Sequence, residues 1–284
     1  MSSESVLLTG GDGFIGRALK SADNGLNIVS FDVNEGDVTT FDFRVFNVSH
    51  VIHLAALTSV EDSWENPRDY YRVNMMGTLN VLEFCRNRNA SMTYISTYVY
   101  GAPKYLPVDE RHPISPASVY NHSKYLAEDM CRFYAENLGV SVTVLRLFNP
   151  YGPGQSKNFL IPNIIHQVLK SDQIELKDLK PKRDFIYIDD IVSAIWLTVG
   201  QKGFHYFNVG SGVSVSVAEL CDIVQSIAGT NLPVISKNMV RKNEVMDVIA
   251  DYTKIKDELG WIPKTDIRSG IKKVIESSLS ERQE

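Results

Sequence analysis

The stretch Val6-Leu7-Leu8-Thr9-Gly10-Gly11-Asp12-Gly13-Phe14-Ile15-Gly16 constrains the fold more than any other part of the chain. It passes from a short apolar run, through clustered glycines, into a helical pattern. Read from Gly11 it is G-x-G-x-x-G, and read from Gly10 it is G-x-x-G-x-x-G. Glycines let a backbone turn tightly and approach a ligand closely, and a helix start offers open N–H groups with a partial positive charge. Strand, turn and helix in that order read as a pyrophosphate-binding βα unit. Asp32 ends the next apolar run, 21 residues after Gly11. A carboxylate there accepts hydrogen bonds from a ribose and repels a 2′-phosphate. With no Arg or Lys close behind it, the pattern predicts NAD rather than NADP.

The rest of the first half repeats the same rhythm. Short apolar runs at Asn27–Phe31, Val51–Leu54, Ser91–Ser96 and Ser141–Leu147 predict strands. Helical patterns cover Phe14–Ser21, about Arg68–Arg88 and about Val119–Asn137. Alternating strands and helices predict an α/β fold, a Rossmann-type doubly wound parallel sheet with crossover helices. After Asn149 the texture changes, with Pro150, Gly152, Pro153, Gly154 and Pro162 breaking the pattern. The expected division is a nucleotide-binding domain over 1–150, rejoined by about 184–207. A smaller C-terminal substrate-binding lobe is expected over 151–183 and 208–284. Only twenty residues separate Asp32 from His53, so the crossover helix there must be absent or very short and the sheet edge pared down.

Composition excludes several classes. The net charge is -5 with no sustained basic block, which argues against nucleic-acid or membrane-surface binding. Three widely spaced cysteines form neither a disulfide framework nor a zinc cluster, and fit a reducing compartment. The N-terminal residues lack a basic start and an apolar core, and no window approaches a membrane span. A cytoplasmic location is the expectation.

Tyr120 and Lys124 lie one helical turn apart on one face. A free phenol, with a pKa of about 10, is too weak a base at neutral pH. A neighbouring ammonium and an oxidised nicotinamide ring both favour the phenolate, and lowering the pKa by about 3 units needs roughly 4 kcal/mol of differential stabilisation. Such a tyrosine can remove a hydroxyl proton as the same carbon is oxidised.

With these motifs the chain resembles the extended short-chain dehydrogenase/reductase family, in its nucleotide-sugar epimerase/dehydratase branch. The similarity runs from Val6 to about Pro263. It includes Gly36-Asp37-Val38, His53-Leu54-Ala55-Ala56, Val73–Thr78, Ile95–Gly101, Tyr120–Lys124, Arg146–Pro153, Arg183–Asp190, Phe207–Gly212 and Leu259–Pro263. The resemblance implies Tyr120 as base, Lys124 as its partner, and a hydroxyl five positions before Gly101, which is Ser96, with Thr97 adjacent. It implies cofactor contacts from Gly10, Gly13, Phe14, Ile15, Gly16, Asp32, Asp37, Val38, Leu54, Ala55 and Ala56. Asn74 would support the Leu54–Ala56 loop. Substrate contacts would come from Thr58, Ser96, Thr97, Tyr120, Asn149, Phe159, Leu160, Arg183 and Arg241. The two arginines suit a sugar-nucleotide diphosphate, because a guanidinium pairs bidentately with phosphate oxygens. A homodimer through the Asn74-bearing and Tyr120-bearing helices is also implied.

The branch includes epimerases, dehydratases, decarboxylases and reductases. Its 4,6-dehydratases carry an Asp-Glu pair just before V-Y-G, where this chain has Thr97 and Tyr98, and its decarboxylases tend to carry a glutamate there. The resemblance therefore implies a 4-epimerase, which oxidises sugar C4, turns the 4-keto sugar and reduces it on the opposite face. A nucleotide 4-keto-6-deoxy-sugar reductase using NAD(P)H is the alternative. A non-catalytic NAD-binding sensor or scaffold is disfavoured by the full Ser96, Tyr120 and Lys124 set.

Overall fold

The structure, a computed structural model, describes residues 5–22, 25–239 and 244–280. It divides into two compact units, one of Met1–Gly101, Pro113–Leu147 and Val192–Asn208, the other of Ala102–His112, Phe148–Ile191 and Val209–Glu284. No helix among the described residues is long and apolar enough to cross a membrane.

The first unit is built on a six-stranded sheet. Its elements are β1 (Ser5–Thr9), α1 (Phe14–Ser21), β2 (Asn27–Phe31), β3 (His50–His53), α2 (Val60–Glu65), α3 (Pro67–Tyr71), α4 (Gly77–Arg88), β4 (Ser91–Thr97), α5 (Val119–Asn137) and β5 (Val142–Leu147). The sheet order is β2-β1-β3-β4-β5-β9, with β9 spanning Phe204–Val209. Strands β1 to β5 pair in parallel, with Leu7 beside both Val29 and Val51, and Tyr94 beside Val144. Parallel strands are covered on both faces, which explains their nearly continuous apolar runs. The order reverses between β1 and β3, and ligands of such sheets bind beyond the strand ends at that switch point.

The eighteen-residue connection from β2 to β3 holds no crossover helix, only a single 3₁₀ turn at Phe43–Val45. Phenylalanines do the covering instead. Phe31, Phe41 and Phe43 have ring centroids 4.5 to 5.1 Å apart, and Phe43 lies 6.1 Å from Phe84 of α4. Large rings bury much apolar area per residue, so a few of them do the work of a helix face.

The helix expected over Arg68–Arg88 is interrupted. Asn66 and Pro67 start α3, a π-helical turn occupies Arg72–Met76, and α4 begins at Gly77. The close fit at Gly77 explains its lack of a side chain, since a Cβ there would lie 2.8 Å from Val38 Cγ1. Helix α5 begins as the pattern predicts, with the Ser118 hydroxyl accepting from the Asn121 N–H.

The second unit contains β6 (Asn149–Tyr151), α6 (Leu160–Lys170), β7 (Ile174–Leu176), β8 (Lys182–Tyr187), β10 (Ser214–Ser216), α8 (Val217–Ala228), β11 (Val234–Ser236), α9 (Thr253–Leu259) and α10 (Ile267–Ser280). A further helix, α7 (Ile188–Thr198), carries the chain from this unit back into the first. Strands β10, β8 and β6 form one sheet, and β11 pairs with β7. Two carboxylates staple the loops. Asp184 is fully buried and accepts from the backbone N–H groups of Ser211, Gly212 and Ala250. Asp190 accepts from the N–H groups of Lys264 and Thr265, while Trp261 donates to the Asp190 carbonyl.

Two buried histidines make the first unit acid-sensitive. His50 sits between Ser91 and Thr93, and His53 between Thr9 and Thr78. Burial pulls both imidazoles down to about 3. An unfolded histidine binds its proton near pH 6.5, so the stabilisation is present above that pH and is lost as pH falls from about 6.5 toward 3. We expect unfolding free energy to fall with a slope on the order of 1.4 kcal/mol per pH unit for each histidine. Urea midpoints of His50→Gln should show a shallower slope than wild type, and an unchanged slope would sink this account.

Candidate functional site

The glycine loop follows β1 directly. Gly10 has φ 75°, and a Cβ there would lie 2.7 Å from the backbone nitrogen of Ala55. At Gly16 a Cβ would lie 2.5 Å from the Gly10 carbonyl oxygen. Both positions therefore admit glycine alone without movement of backbone. Gly13 precedes α1 with no side-chain cap, so the first amides of the helix stay available to a ligand, beside the partly buried Phe14 and Ile15. Asp32 is held ready next to this loop. One carboxylate oxygen accepts from the Asp12 N–H and the other from the Val33 N–H, each at 2.7 Å.

In the neighbouring Gly36-Asp37-Val38 segment, Val38 is buried in the core and its carbonyl accepts from Asn80. Asp37 is exposed. The Thr39 N–H and the Arg72 guanidinium beside it hold its carboxyl below the usual range.

Leu54, Ala55 and Ala56 leave β3 against the glycine loop. The Leu54 N–H donates to the Thr9 carbonyl. A buried relay fixes this corner. Thr9 Oγ1 lies 2.7 Å from His53 Nδ1, His53 Nε2 lies 3.0 Å from Thr78 Oγ1, and Thr78 donates to the Asn74 carbonyl. Because the Thr78 proton is used on Asn74, His53 carries its proton on Nε2, an assignment made from the network. Asn74, 1% exposed, sits in the π-helical turn and there bonds both polar groups of Leu57. Its amide also donates to Ser123 of α5. The bulge turns a helix residue toward the loop and toward the helix bearing Tyr120. Thr58, next along the loop, is exposed.

Tyr120 lies in the first turn of α5, half-buried, edge-on to Tyr70 and beside Thr97, whose side chain favours its phenolate. Burial pushes its phenol up to about 12, against the pull of the Thr97 bond. Lys124 is 3% exposed, with Nζ 4.2 Å over the Tyr94 ring, and burial pulls it down to about 7 while Glu128 favours its charge.

Ser96, the expected catalytic hydroxyl, donates to Glu128 Oε1 on α5, while the adjacent candidate Thr97 is the one whose side chain favours the Tyr120 phenolate. Counting back from Gly101 missed this. The strand period of two carries the signal, since Ser96 shares parity with the buried Tyr94, whose hydroxyl also bonds α5. Glu128 and Arg146 were not singled out from the sequence, although Glu128 follows Tyr120 and Lys124 at the same four-residue spacing.

In the second unit, Asn149 donates to the Asp184 carbonyl from β6, and Phe159 and Leu160 begin α6 with Phe159 exposed. Arg183 is not an open fork. Its guanidinium pairs with the Glu244 carboxylate and donates to the Val245 and Lys182 carbonyls. Arg241 lies outside the described residues.

Residues 12–274 match the family described as GDP-mannose 4,6 dehydratase. A Methanocaldococcus jannaschii protein provisionally named UDP-glucose 4-epimerase is 33% identical, over 95% of this chain and 97% of its own length. The GDP-6-deoxy-D-mannose reductase of Pseudomonas aeruginosa is 31% identical, over 79% of this chain and 78% of its own. A solved structure of MoeE5 with UDP-glucose and NAD superimposes with a TM-score of 0.91 at 29% identity, covering 98% of this chain and 99% of that one.

Asn74→Ala removes three hydrogen bonds from a buried amide and leaves the Leu57 N–H without its acceptor. We expect a loss of about 2–4 kcal/mol in urea unfolding and faster hydrogen exchange at Leu57. Unaltered exchange at that amide would remove Asn74 from its supporting role.

Proposed function

The chain belongs to the GDP-mannose 4,6 dehydratase family, in the nucleotide-sugar epimerase/dehydratase branch of the extended short-chain dehydrogenase/reductases, and on that premise we propose that it is an NAD-dependent 4-epimerase of a nucleotide-diphosphate sugar. The observation that carries this reading is the Tyr120–Thr97 contact with Lys124 one turn along α5, in a strand end that has no carboxylate. A dehydratase of this branch resembles the chain in fold but needs an acid and a base just before V-Y-G. With Thr97 engaged by Tyr120, Tyr98 alone fills that space, and its hydroxyl donates to the Gly101 carbonyl.

The glycine cradle fits NAD. Positions 10 and 16 exclude any Cβ, and the Asp32 carboxylate stands at the loop where a ribose hydroxyl can donate to it. When bound, NAD accepts and returns the hydride at sugar C4. Tyr120 holds and moves the proton of the sugar 4-hydroxyl at its own phenolic oxygen. Thr97 donates a hydrogen bond that favours the phenolate, and the Lys124 ammonium acts in the same direction. Arg183 is proposed to grip the diphosphate by exchanging Glu244 for phosphate oxygens. A homodimer through α4 and α5 accounts for the apolar side chains exposed there and in the turn before α4, Met76 at 49% and Phe133 at 57%.

The reductase reading draws on the Pseudomonas aeruginosa relative and remains the second choice, because Asp32 stands where a 2′-phosphate would be repelled. The experiment that decides incubates purified protein with UDP-, dTDP- and GDP-linked sugars and no added cofactor. Epimerisation at C4 is the expected result. Turnover that requires stoichiometric NAD(P)H and a 4-keto sugar would overturn it. Tyr120→Phe should lower kcat by about 10²-fold or more. Thr97→Val removes a bond that stabilises the phenolate, so the phenol rises further and the acid limb of the kcat profile should move to higher pH. A limb that stays in place, or moves down, contradicts the role given to Thr97.

A further inference from the structure

Beneath Tyr120 and Lys124, two turns into α5, lies a buried ion pair that the proposed chemistry does not use. Glu128 is 4% exposed and Arg146 of β5 is 7% exposed. Arg146 Nη2 meets Glu128 Oε2 at 2.7 Å, and Nε meets Oε2 at 3.0 Å and Oε1 at 3.2 Å. The Arg146 Nη1 donates to the Tyr100 hydroxyl at 2.8 Å, which donates in turn to Asn208. The guanidinium also lies 5.1 Å from the ring centres of Tyr100 and Tyr206. Such a pair contributes little net stability once its desolvation is counted, and its best-attested use is to fix one arrangement over its competitors.

Two hydroxyls compete at the end of β4. Ser96 and Thr97 are consecutive, so the strand pleat turns them to opposite faces, and either could serve Tyr120 under a slip of one residue. Glu128 Oε1 takes the Ser96 proton. With Ser96 so engaged, a slip would take its proton from Glu128 Oε1 and leave that buried oxygen with only the longer 3.2 Å bond from Arg146 Nε. We propose that Ser96 is a positioning residue: anchored to the Glu128–Arg146 pair, it sets the register of the β4 end so that Thr97 faces Tyr120. The inference rests on the role given to Thr97 under the proposed function.

The test reads the position of Tyr120 directly. Protein labelled with 3-fluorotyrosine gives a ¹⁹F resonance for Tyr120, assigned by its loss in Tyr120→Phe. Thr97→Val defines where that resonance falls when the Thr97 bond is absent. Ser96→Ala keeps the ion pair and the fold but removes the anchor, and its Tyr120 resonance should move toward the Thr97→Val position. Ser96→Thr, which restores a hydroxyl, should return it. Glu128→Gln still offers an acceptor to Ser96, so its Tyr120 resonance should stay at the wild-type position even though thermal stability falls. With a turned-over sugar nucleotide, Ser96→Ala should lower kcat roughly tenfold with KM unchanged. A Tyr120 resonance that Ser96→Ala leaves in place overturns the proposal. So does a Ser96→Ala loss as deep as that of Tyr120→Phe with Thr97→Val fully active, since Ser96 would then touch substrate. If no sugar nucleotide is epimerised, the function assignment fails and the resonance still decides the positioning claim.

Discussion

Two strand ends meet in this protein with no room for a side chain between them. Gly10 leaves β1 with its α-carbon against the backbone of Leu54 and Ala55, and a single methyl group would collide there. Everything that gives the first unit its chemistry depends on that contact. Thr9, one residue earlier, reaches His53, and the relay passes through Thr78 to Asn74 and then to Ser123 on α5. Ser123 adjoins Lys124. The glycine loop and the tyrosine–lysine helix are thus connected by buried hydrogen bonds rather than by shared flexibility, and buried networks of this kind hold one geometry or fail together.

The legibility of the sequence follows the same physical divide. Strands β1 to β5 and helices α1 and α5 are readable because local pattern and tertiary role agree, with apolar runs in the sheet and a serine cap before Val119. The π-helical turn at Arg72–Met76 is not readable, because what selects it is the distant Leu57 backbone that Asn74 must reach. The missing crossover between β2 and β3 is visible in the short spacing, but its replacement by stacked phenylalanines is a matter of packing. The choice between Ser96 and Thr97 is open in the motif count, and what bears on it is the bond from Ser96 to Glu128, 32 positions away. Arg183 is the reverse case: its residue type suggests a phosphate ligand, and only the fold reveals that its guanidinium is paired with Glu244.

The site's electrostatics are those of a dry interior rather than of a preset base. Tyr120 is pushed up and Lys124 pulled down by the same cause, the removal of water, against the pull of Thr97 on the one and of Cys131 and Glu128 on the other. A group in that condition responds strongly to any charge brought beside it, because few other dipoles screen the interaction. The amine and the phenol are therefore placed so that binding itself, rather than the resting fold, sets their protonation.

Asp32 adds a temporal consequence. Both of its oxygens are oriented by main-chain N–H groups of the chain that surrounds them, so the acceptor proposed for a ribose is fixed by the fold. Ordering entropy that would otherwise oppose association has been spent during folding. Under the proposed function, residence time is the property that this geometry lengthens, which suits a nucleotide that stays in place while a sugar comes, turns and leaves.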